Sequence, residues 1–367
     1  MVKQVNLVTV VGARPQFIKA AAVSRAVETA NAKPSGIRVR ETLVHTGQHY
    51  DPEMSGVFFE ELDLPPPREN LGIRAATISL QTGDMIKALS TLLPDLRPDV
   101  IVVHGDTTST LSASIAAAQS GIPLAHVEAG LRSHDRSMPE ELNRRLSDHA
   151  ADVLFTPTNA ATKNLHDEGI SPSSIVQVGD VMYDSFIYYS TQVVPGATFD
   201  SNSRPVVLAT FHRAANTDDQ DRAAGICESL VRLADEHSVL FPVHPRTEKA
   251  IRAVGWWDRL AASVKLGPPV GYRDMIRSLT QADVVVTDSG GLQKEAYFAG
   301  KPCVILRDDT EWVELLDVGA SILSGVDPRS VVDAVRHQVG ASVDSQPIFG
   351  NGTAADQIVR SLADFLR

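Results

Sequence analysis

Short apolar segments alternate with amphipathic, helix-like segments along nearly the whole chain of 367 residues. The first series of apolar segments predicts six β-strands, at residues 6–11, 38–45, 100–104, 123–128, 153–156 and 175–178. A second series predicts six more, at residues 206–210, 239–242, 263–266, 284–287, 302–306 and 321–323. Segments with helical periodicity fill the gaps, for example at residues 107–119, 222–236 and 292–298. This alternation predicts an α/β fold with parallel sheets and right-handed crossover connections.

The two series of strands predict two Rossmann-like domains with the active site in the cleft between them. We expect an N-terminal domain over residues 1–180 and a C-terminal domain over residues 181–352. Residues 193–205 are rich in Pro, Gly, Ser, Thr and Asp, a composition typical of a linker or exposed loop. Residues 353–367 have the pattern of an amphipathic helix, which we expect to pack back on the first domain.

Composition and charge narrow the class of protein. Hydrophobic residues make up 43% and charged residues 22% of the chain, as in ordinary soluble globular proteins. The formal net charge of −11 argues against a partner such as nucleic acid or an anionic membrane, so an anionic ligand would need a local basic pocket. Cys227 and Cys303 stand alone, which argues against a disulfide framework or a zinc site. No signal-peptide pattern and no apolar run near the ~20 residues that span a bilayer occur, so we expect a cytoplasmic enzyme or binding protein.

Carboxylates follow two neighbouring predicted strands at the point where each strand ends. Asp106 comes after one apolar run and Glu128 after the next, each two residues behind a histidine. Glu140 and Glu141 then open a predicted helix. Because ligands of parallel α/β sheets lie beyond the carboxyl ends of the strands, we expect these acids to face one cleft and to transfer protons. Acids in a first helical turn also suit the helix dipole, which alone could account for one of them.

The turn after the first strand is a candidate anion site. Gly12 permits a tight turn, Pro15 suits the first turn of a helix, and Arg14 lies where the helix N-terminus would meet an anion. An ordinary turn with a surface arginine is the alternative. The nicotinamide fingerprint GxGxxG is absent.

A second candidate anion site lies at residues 288–295, after the strand at 284–287. Ser289, Gly290 and Gly291 can expose several backbone N–H groups at a helix start, which makes a phosphate nest. Glu295 lies one turn further in, where a carboxylate would suit the two hydroxyls of a ribose. The glycines alone could instead serve close helix–sheet packing, but the neighbouring acids favour a binding site.

Two further strand ends carry a histidine and an arginine. His212 and Arg213 follow the strand at 206–210 and face the same crevice as the other strand ends. His244 and Arg246 repeat this pattern after the next strand, where two prolines could simply stiffen a loop. Gln48, in the polar segment after the second strand, either lines the cleft or caps a helix.

Nine segments resemble, in order and over nearly the full length, those of the non-hydrolysing UDP-N-acetylglucosamine 2-epimerases. They are GARPQ, HTGQH, HGDTTST, HVEAGLRS, MPEELNR, FHRAAN, PVHPRT, TDSGGLQKEA and GKPCVILRDDTE. The resemblance implies a two-lobed fold of the glycosyltransferase B type whose second domain binds UDP. It implies interconversion of UDP-N-acetylglucosamine (UDP-GlcNAc) and UDP-N-acetylmannosamine (UDP-ManNAc), without metal or other cofactor, by elimination of UDP to 2-acetamidoglucal and its re-addition to the other face. It further implies a homodimer that supplies ManNAc-type sugars for surface polysaccharide.

The resemblance also assigns roles, residue by residue. The family's catalytic residues fall on Asp106, Glu128, Glu140 and His212. Its nucleotide-binding positions fall on Arg14, Ser289, Gly290, Gly291, Glu295 and Arg307. Positions that hold a second, allosteric UDP-GlcNAc in some bacterial members fall on Gln48, Arg213 and His244.

The chain departs from the family pattern at two positions. Gln16 stands where glutamate is common, and Ala215 replaces an acid common in the motif around His212. These departures leave open the sugar specificity and the allosteric site. A 2-epimerase of a related UDP-diacetamido-uronic acid and a glycosyltransferase on the same fold are the alternatives, and a non-catalytic nucleotide-sugar sensor is the alternative from a different class.

Overall fold

The computed structural model describes residues 3–33, 37–48, 59–136, 138–193, 204–344 and 346–367. The chain forms two compact units. Unit 1 comprises Met1–Ile187 and Pro347–Arg367, and unit 2 comprises Tyr188–Gln346. The first segment of unit 1 therefore ends at residue 187, whereas the limit expected from the sequence was 180. The chain returns to unit 1 at residue 347, whereas the expected limit of the second domain was 352. Most of the segment predicted as a linker, residues 194–203, lies outside the described residues, as does His49 of the HTGQH motif.

The strands are β1 (Lys3–Val11), β2 (Ile37–His45), β3 (Glu69–Asn70), β4 (Val100–His104), β5 (Leu124–Val127), β6 (Val153–Thr156), β7 (Ile175–Gln177), β8 (Val206–Thr210), β9 (Ser238–Pro242), β10 (Lys265–Gly267), β11 (Val284–Thr287), β12 (Cys303–Ile305) and β13 (Ser321–Leu323). The helices are α1 (Arg14–Ala32), α2 (Ile78–Leu96), α3 (Thr108–Gln119), α4 (Pro139–Ala150), α5 (Asn159–Asp167), α6 (Val181–Ser190), α7 (Ala214–Thr217), α8 (Gln220–Leu233), α9 (Pro245–Ala253), α10 (Trp257–Ser263), α11 (Tyr272–Gln281), α12 (Gly290–Phe298), α13 (Val313–Asp317), α14 (Pro328–Gln338) and α15 (Ala354–Phe365). A 3₁₀ turn spans Pro172–Ser174. None of the helices in the described ranges combines the length and apolar composition that crossing a membrane requires.

Unit 1 is built on a parallel sheet with the strand order β3-β2-β1-β4-β5-β6-β7. The strand order reverses between β1 and β4, and the carboxyl edge of such a switch point is where open α/β sheets bind ligands. Strand β4 is buried on both faces, since Val100 and Val102 join one apolar cluster whereas Ile101 and Val103 join another. Helix α15 packs on the first of these clusters and covers α1.

Unit 2 is built on a second parallel sheet, with the strand order β10-β9-β8-β11-β12-β13. Its core joins the inward residues of β8, β9 and β11 to helices α8 and α14. Phe211 and Phe241 stack in this core with ring centroids 5.5 Å apart. The switch point of this sheet lies between β8 and β11.

The predicted α/β class with parallel sheets is confirmed, and each of the twelve predicted strands is present. The prediction missed β3, which has only two residues, both exposed, and therefore no apolar pattern. The predicted start of a strand at residue 263 is wrong: Ser263 ends α10, and β10 begins at Lys265. The predicted helix at 222–236 also lies two to three residues too late, because Asp219 caps the helix start through its side chain.

Candidate active site

The first turn of unit 1 is locked by Gln16, which is fully buried in α1. Its Oε1 accepts from the backbone N–H groups of Gly12 (2.8 Å) and Ala13 (3.1 Å). Its Nε2 donates to the carbonyl of His104 (2.9 Å), at the end of β4. A glutamate carboxylate could not donate this last bond. Gln16 therefore links the turn after β1 to the end of β4. The turn presents the partly exposed Arg14 at the first position of α1, where the helix dipole favours an anion.

Asp106 lies just beyond β4 and is held from both its backbone and its side chain. The Nδ2 of Asn143 donates to the Asp106 carbonyl at 2.8 Å. The guanidinium of Arg144 donates to Asp106 Oδ2 from Nε (3.0 Å) and Nη2 (2.7 Å). The carboxyl side chain remains 28% exposed, so it is positioned and yet open to a ligand.

Glu128, just beyond β5, is buried and has an unusual backbone conformation, with φ at +70°. A left-handed conformation costs a non-glycine residue roughly 1–2 kcal/mol, and such residues cluster at functional sites. Its carboxylate forms a buried ion pair with Lys19 of α1. Sequence reasoning missed Lys19, although a lysine inside the apolar first helix was a usable signal.

Gly105 brings the two acid-bearing loops together. Its φ is +63°, and a Cβ added there would lie 2.9 Å from Lys19 Nζ and 3.3 Å from Glu128 Oε2. The backbone immediately before Asp106 therefore lies against the Glu128 carboxylate. A side chain at this position would separate these groups.

The two acids at the start of α4 have different surroundings. Glu140 is exposed, whereas Glu141 is only 1% exposed. The Oε2 of Glu141 accepts from the backbone N–H (2.9 Å) and hydroxyl (3.1 Å) of Ser133, and it lies 3.4 Å from Arg144 Nη1. Glu141 thus supports the loop and Arg144, and Glu140 is the acid of this pair that is open to a ligand.

His104 is a fully buried histidine whose two ring nitrogens have no hydrogen-bond partner in the described chain. Burial, with the nearby charges of Lys19 and His126, lowers the pKa of His104 to about 3. Its ring is therefore neutral near pH 7 and is not available as an imidazolium acid there.

In unit 2, Ser289 caps the start of α12, and Gly290 and Gly291 form its first turn. A Cβ added at Gly290 would lie 2.3 Å from Glu311 Oε1, so only glycine lets this carboxylate approach. The Nη1 of Arg307 donates to Glu311 Oε2 (2.8 Å), and Nη2 of Arg213 lies 3.3 Å from Glu311 Oε1. Both arginines thus meet one carboxylate beside the helix start. Glu295 is buried one turn further along α12.

The buried carboxylate of Asp288 organises the loop after β8. It accepts from the backbone N–H groups of His212 (3.1 Å) and Arg213 (3.0 Å), and from Asn216 Nδ2 (3.0 Å). The His212 side chain is 47% exposed, with its ring centroid 6.1 Å from that of His244. A solvent-accessible histidine therefore stands next to the start of α12.

The three residues assigned to an allosteric ligand do not share one unit. Gln48 lies in unit 1, where its Oε1 accepts from the backbone N–H (3.0 Å) and hydroxyl (2.7 Å) of Ser109. Arg213 and His244 lie in unit 2. His244 caps α9 by accepting from the backbone N–H of Arg246 at 3.2 Å, and Arg246 pairs with an aspartate on the surface.

Among the described residues, no three histidine, cysteine or acidic side chains are grouped as a metal site would need.

A family model described as UDP-N-acetylglucosamine 2-epimerase matches residues 32–363. The chain is 42% identical to a UDP-2,3-diacetamido-2,3-dideoxy-D-glucuronate 2-epimerase of Pseudomonas aeruginosa, over 98% of this chain and 99% of the relative. It is 37% identical to a UDP-N-acetylglucosamine 2-epimerase of Methanocaldococcus jannaschii, over 97% of this chain and 98% of the relative. A crystal structure of the M. jannaschii enzyme with UDP-GlcNAc and UDP covers 98% of this chain and 99% of that chain, with a TM-score of 0.87 at 36% identity. A structure of the Neisseria meningitidis enzyme bound to UDP-GlcNAc gives a TM-score of 0.86 at 28% identity, over 98% of this chain and 100% of that chain.

Proposed function

Because this chain belongs to the UDP-N-acetylglucosamine 2-epimerase family, a family of carbohydrate epimerases, we propose that it interconverts UDP-GlcNAc and UDP-ManNAc. The observation that carries this proposal is the pair of acids around Gly105. Asp106 is held by Arg144, and Glu128 is held by Lys19 in a strained backbone conformation. Strain and buried counter-charges at two adjacent carboxylates are typical of a site built for proton transfer.

The reaction needs a base, an acid and a leaving group. A carboxylate removes the proton from C2 of the sugar as the C1–O bond to UDP breaks, which gives 2-acetamidoglucal and UDP. Protonation of C2 from the opposite face and return of UDP to C1 complete the epimerisation. Since the C2–H is a weak acid, a positioned carboxylate contributes typically 10²–10⁴-fold. Asp106, Glu128 and Glu140 are the proposed proton-transfer groups, and several acids are needed because C2 is approached from both faces.

In unit 2 the proposed nucleotide site is the start of α12. Ser289, Gly290 and Gly291 would bind the diphosphate through the N–H groups of the two glycines, since the Ser289 N–H donates to Thr287 Oγ1 at 3.0 Å. The buried Glu295 would bind the ribose hydroxyls. Arg307 would add positive charge, and at an effective dielectric of 20 one arginine 4 Å from a phosphate is worth about 4 kcal/mol. We further propose Arg14 in unit 1 as a nucleotide-binding residue and His212 in unit 2 as a catalytic residue.

Gly290→Ala tests the nucleotide site. The new Cβ would displace the Glu311 carboxylate and alter the first turn of α12, so we expect the affinity for UDP in calorimetric titration to fall at least about tenfold, or 1.4 kcal/mol. Gly267→Ala is the matched control, since a Cβ there meets nothing within 4 Å. Unchanged UDP affinity in Gly290→Ala would remove the start of α12 from the proposed site.

Proton NMR of UDP-GlcNAc with the protein in D₂O tests the reaction. We expect UDP-ManNAc to form with deuterium at C2, because the abstracted proton exchanges with solvent. Asp106→Asn, Glu128→Gln and Glu140→Gln should each lower turnover by orders of magnitude with UDP binding little changed, since they remove interactions made in the transition state. The control Asp167→Asn changes an exposed acid on α5 and should keep full turnover. Product that retains protium at C2 would refute the proton-transfer route. A binding-only sensor would leave the substrate unchanged, and a hydrolysing enzyme would release free ManNAc.

A second substrate has specific support. The relative from P. aeruginosa, named for a diacetamido-uronic acid sugar, matches at 42% identity. Turnover of UDP-GlcNAc and of UDP-2,3-diacetamido-2,3-dideoxy-D-glucuronate should be compared at equal concentration. A much higher kcat/KM for the second sugar would replace UDP-GlcNAc in our proposal.

Regulation and assembly are also proposals. We propose that Gln48, Arg213 and His244 contribute to activation by UDP-GlcNAc, and full-rate turnover of UDP-ManNAc alone would exclude this activation.

We propose a homodimer because the apolar side chains of Leu142 and Leu146, one turn apart on α4, are 54% and 46% exposed. Light scattering should give twice the monomer mass, and Leu142→Glu should lower it. We propose that the enzyme acts in the cytoplasm, where its product would supply ManNAc-type sugars for surface polysaccharide.

A further inference from the structure

A chain of buried polar groups runs behind the two acid-bearing loops of unit 1. His126, fully buried in β5, places Nε2 2.7 Å from the carbonyl oxygen of Gly105 and Nδ1 2.7 Å from Asp148 Oδ1. Arg132 then contacts Asp148 Oδ2 at 2.7 Å. The same guanidinium donates from Nε and Nη2 to the two carboxylate oxygens of Glu168, at 2.8 and 2.7 Å. The chain thus leads from the residue before Asp106 to the partly exposed Glu168.

The partners of His126 determine how many protons its ring carries. A carbonyl oxygen only accepts, so Nε2 must carry a hydrogen to bond Gly105. At 2.7 Å from Asp148 Oδ1, Nδ1 must also share a proton, because two lone pairs at that distance would repel. The other oxygen of Asp148 faces Arg132 and accepts from the backbone N–H of Gly130 at 3.2 Å, so both of these contacts are with donors, as suits a carboxylate. The shared proton therefore belongs to the imidazole.

We propose that His126 is a doubly protonated positioning residue whose imidazolium holds the Gly105 carbonyl and so fixes the loop that carries Asp106 against Glu128. This inference rests on the proposed function for the roles of the two acids, but not for the protonation of His126. A charge-assisted donor holds a carbonyl more tightly than a neutral one does. Misplacing a reacting group by about 1 Å can cost roughly 100-fold in rate, so holding this loop bears directly on turnover.

The charges around His126 are balanced by pairs on several elements. Asp148 on α4 lies between the imidazolium and Arg132, and Glu168 balances the other side of Arg132. Arg132 lowers the pKa of Glu168 to about 2, so this acid remains charged. On the other side, Lys19 pairs with Glu128, and Arg144 lies between the carboxylates of Asp106 and Glu141. The neighbouring His104, neutral near pH 7, adds no competing charge.

The protonation is tested by ¹⁵N NMR of the histidine-labelled full-length protein at pH 7.5. Nitrogen shifts distinguish a doubly protonated ring from either neutral tautomer, and His126→Gln and His104→Gln assign the two signals. We expect both nitrogens of His126 to be protonated and His104 to be neutral. In Asp148→Asn the counter-ion is lost, and the His126 signal should change to that of a neutral ring. A neutral His126 in the unsubstituted protein would overturn the proposal.

The positioning role is tested by the kinetics of the same variants. His126→Gln and Asp148→Asn should lower kcat roughly 10–100-fold with KM and UDP affinity within about threefold, since the acids are misplaced and unit 2 is unaltered. His149→Gln is the matched control: His149 lies on α4 beside Asp148, contacts Glu168 at 3.3 Å and is 52% exposed. Full kcat in both variants would refute the positioning role. Should the unsubstituted protein fail to epimerise UDP-GlcNAc, the proposed function fails, and the NMR result alone still decides the protonation.

Discussion

Removing Lys19 alone should destabilise the protein more than removing Lys19 and Glu128 together. The two side chains are each 7% exposed, so Lys19→Met leaves a carboxylate behind in a site that excludes most water. Breaking a buried ion pair by removing one partner costs about 3–5 kcal/mol, whereas replacing both partners by neutral groups is often close to neutral. We therefore expect a loss of about 3 kcal/mol for Lys19→Met or Glu128→Gln, and a smaller loss for the double variant.

Urea unfolding followed by far-UV circular dichroism measures these free energies, and the double-mutant cycle gives the coupling energy. Tryptophan fluorescence follows the unfolding of unit 2 in particular, since the three tryptophans, Trp256, Trp257 and Trp312, all belong to that unit. Lys163→Met is the control: it removes an exposed i,i+4 pair with Asp167 and should cost under about 0.5 kcal/mol. Additive losses in the Lys19–Glu128 cycle would refute the ion pair as a stabilising unit.

Two further predictions follow from shifted pKa values. Asp184 accepts from the backbone N–H groups of Ala354 (3.2 Å) and Ala355 (2.7 Å) at the start of α15, and burial raises its pKa to about 6. Its stabilising contribution is full below the unfolded value near 3.8 and is lost as the pH rises through 6. Between pH 5 and pH 8, Asp184→Asn should therefore gain about 1.4 kcal/mol relative to the unsubstituted protein in Tm-derived free energies, out of about 3 kcal/mol for the whole shift from 3.8 to about 6. An equal difference at both pH values would contradict this. Burial also raises the pKa of the Cys227 and Cys303 thiols to about 12, so Ellman's reagent should react with neither until the protein unfolds; rapid reaction of the native protein would contradict it.

The strands could be predicted because buried strands consist mainly of apolar residues, which form recognisable runs in the sequence. Central strands such as β4 are covered on both faces, so every position is apolar and the run stands out. The strand β3 could not be found, since an exposed pair of polar residues at a sheet edge has no such pattern. The ends of the runs then indicated Asp106 and Glu128, because chain direction in a parallel sheet places all carboxyl ends at one edge.

The partners of these acids could not be predicted in the same way. Lys19 and Glu128 are 109 residues apart, and Gln16 and His104 are 88 apart, so only the folded chain brings them together. Neither could the sequence rank Glu140 against Glu141. Successive helical residues differ by about 100° in direction, so one acid faces inward to Ser133 and Arg144 while its neighbour stays exposed.

Charge at the start of α12 shows why position and pairing must be considered together. From the sequence alone, Arg213 and Arg307 are two cations available to an anionic ligand. In the folded unit both contact Glu311, and Arg307 also donates to Asp309 at 2.9 Å, so much of their charge is already compensated. A diphosphate at this position would therefore depend first on the N–H groups of the helix start, which are fixed in direction and bear no counter-ion. The arginines would then contribute to the extent that the ligand replaces Glu311 as their partner. Because a Cβ at Gly290 would lie 2.3 Å from Glu311 Oε1, we expect Gly290 to affect UDP binding in two ways: through the backbone of the helix start, and through the distance of Glu311 from the two arginines.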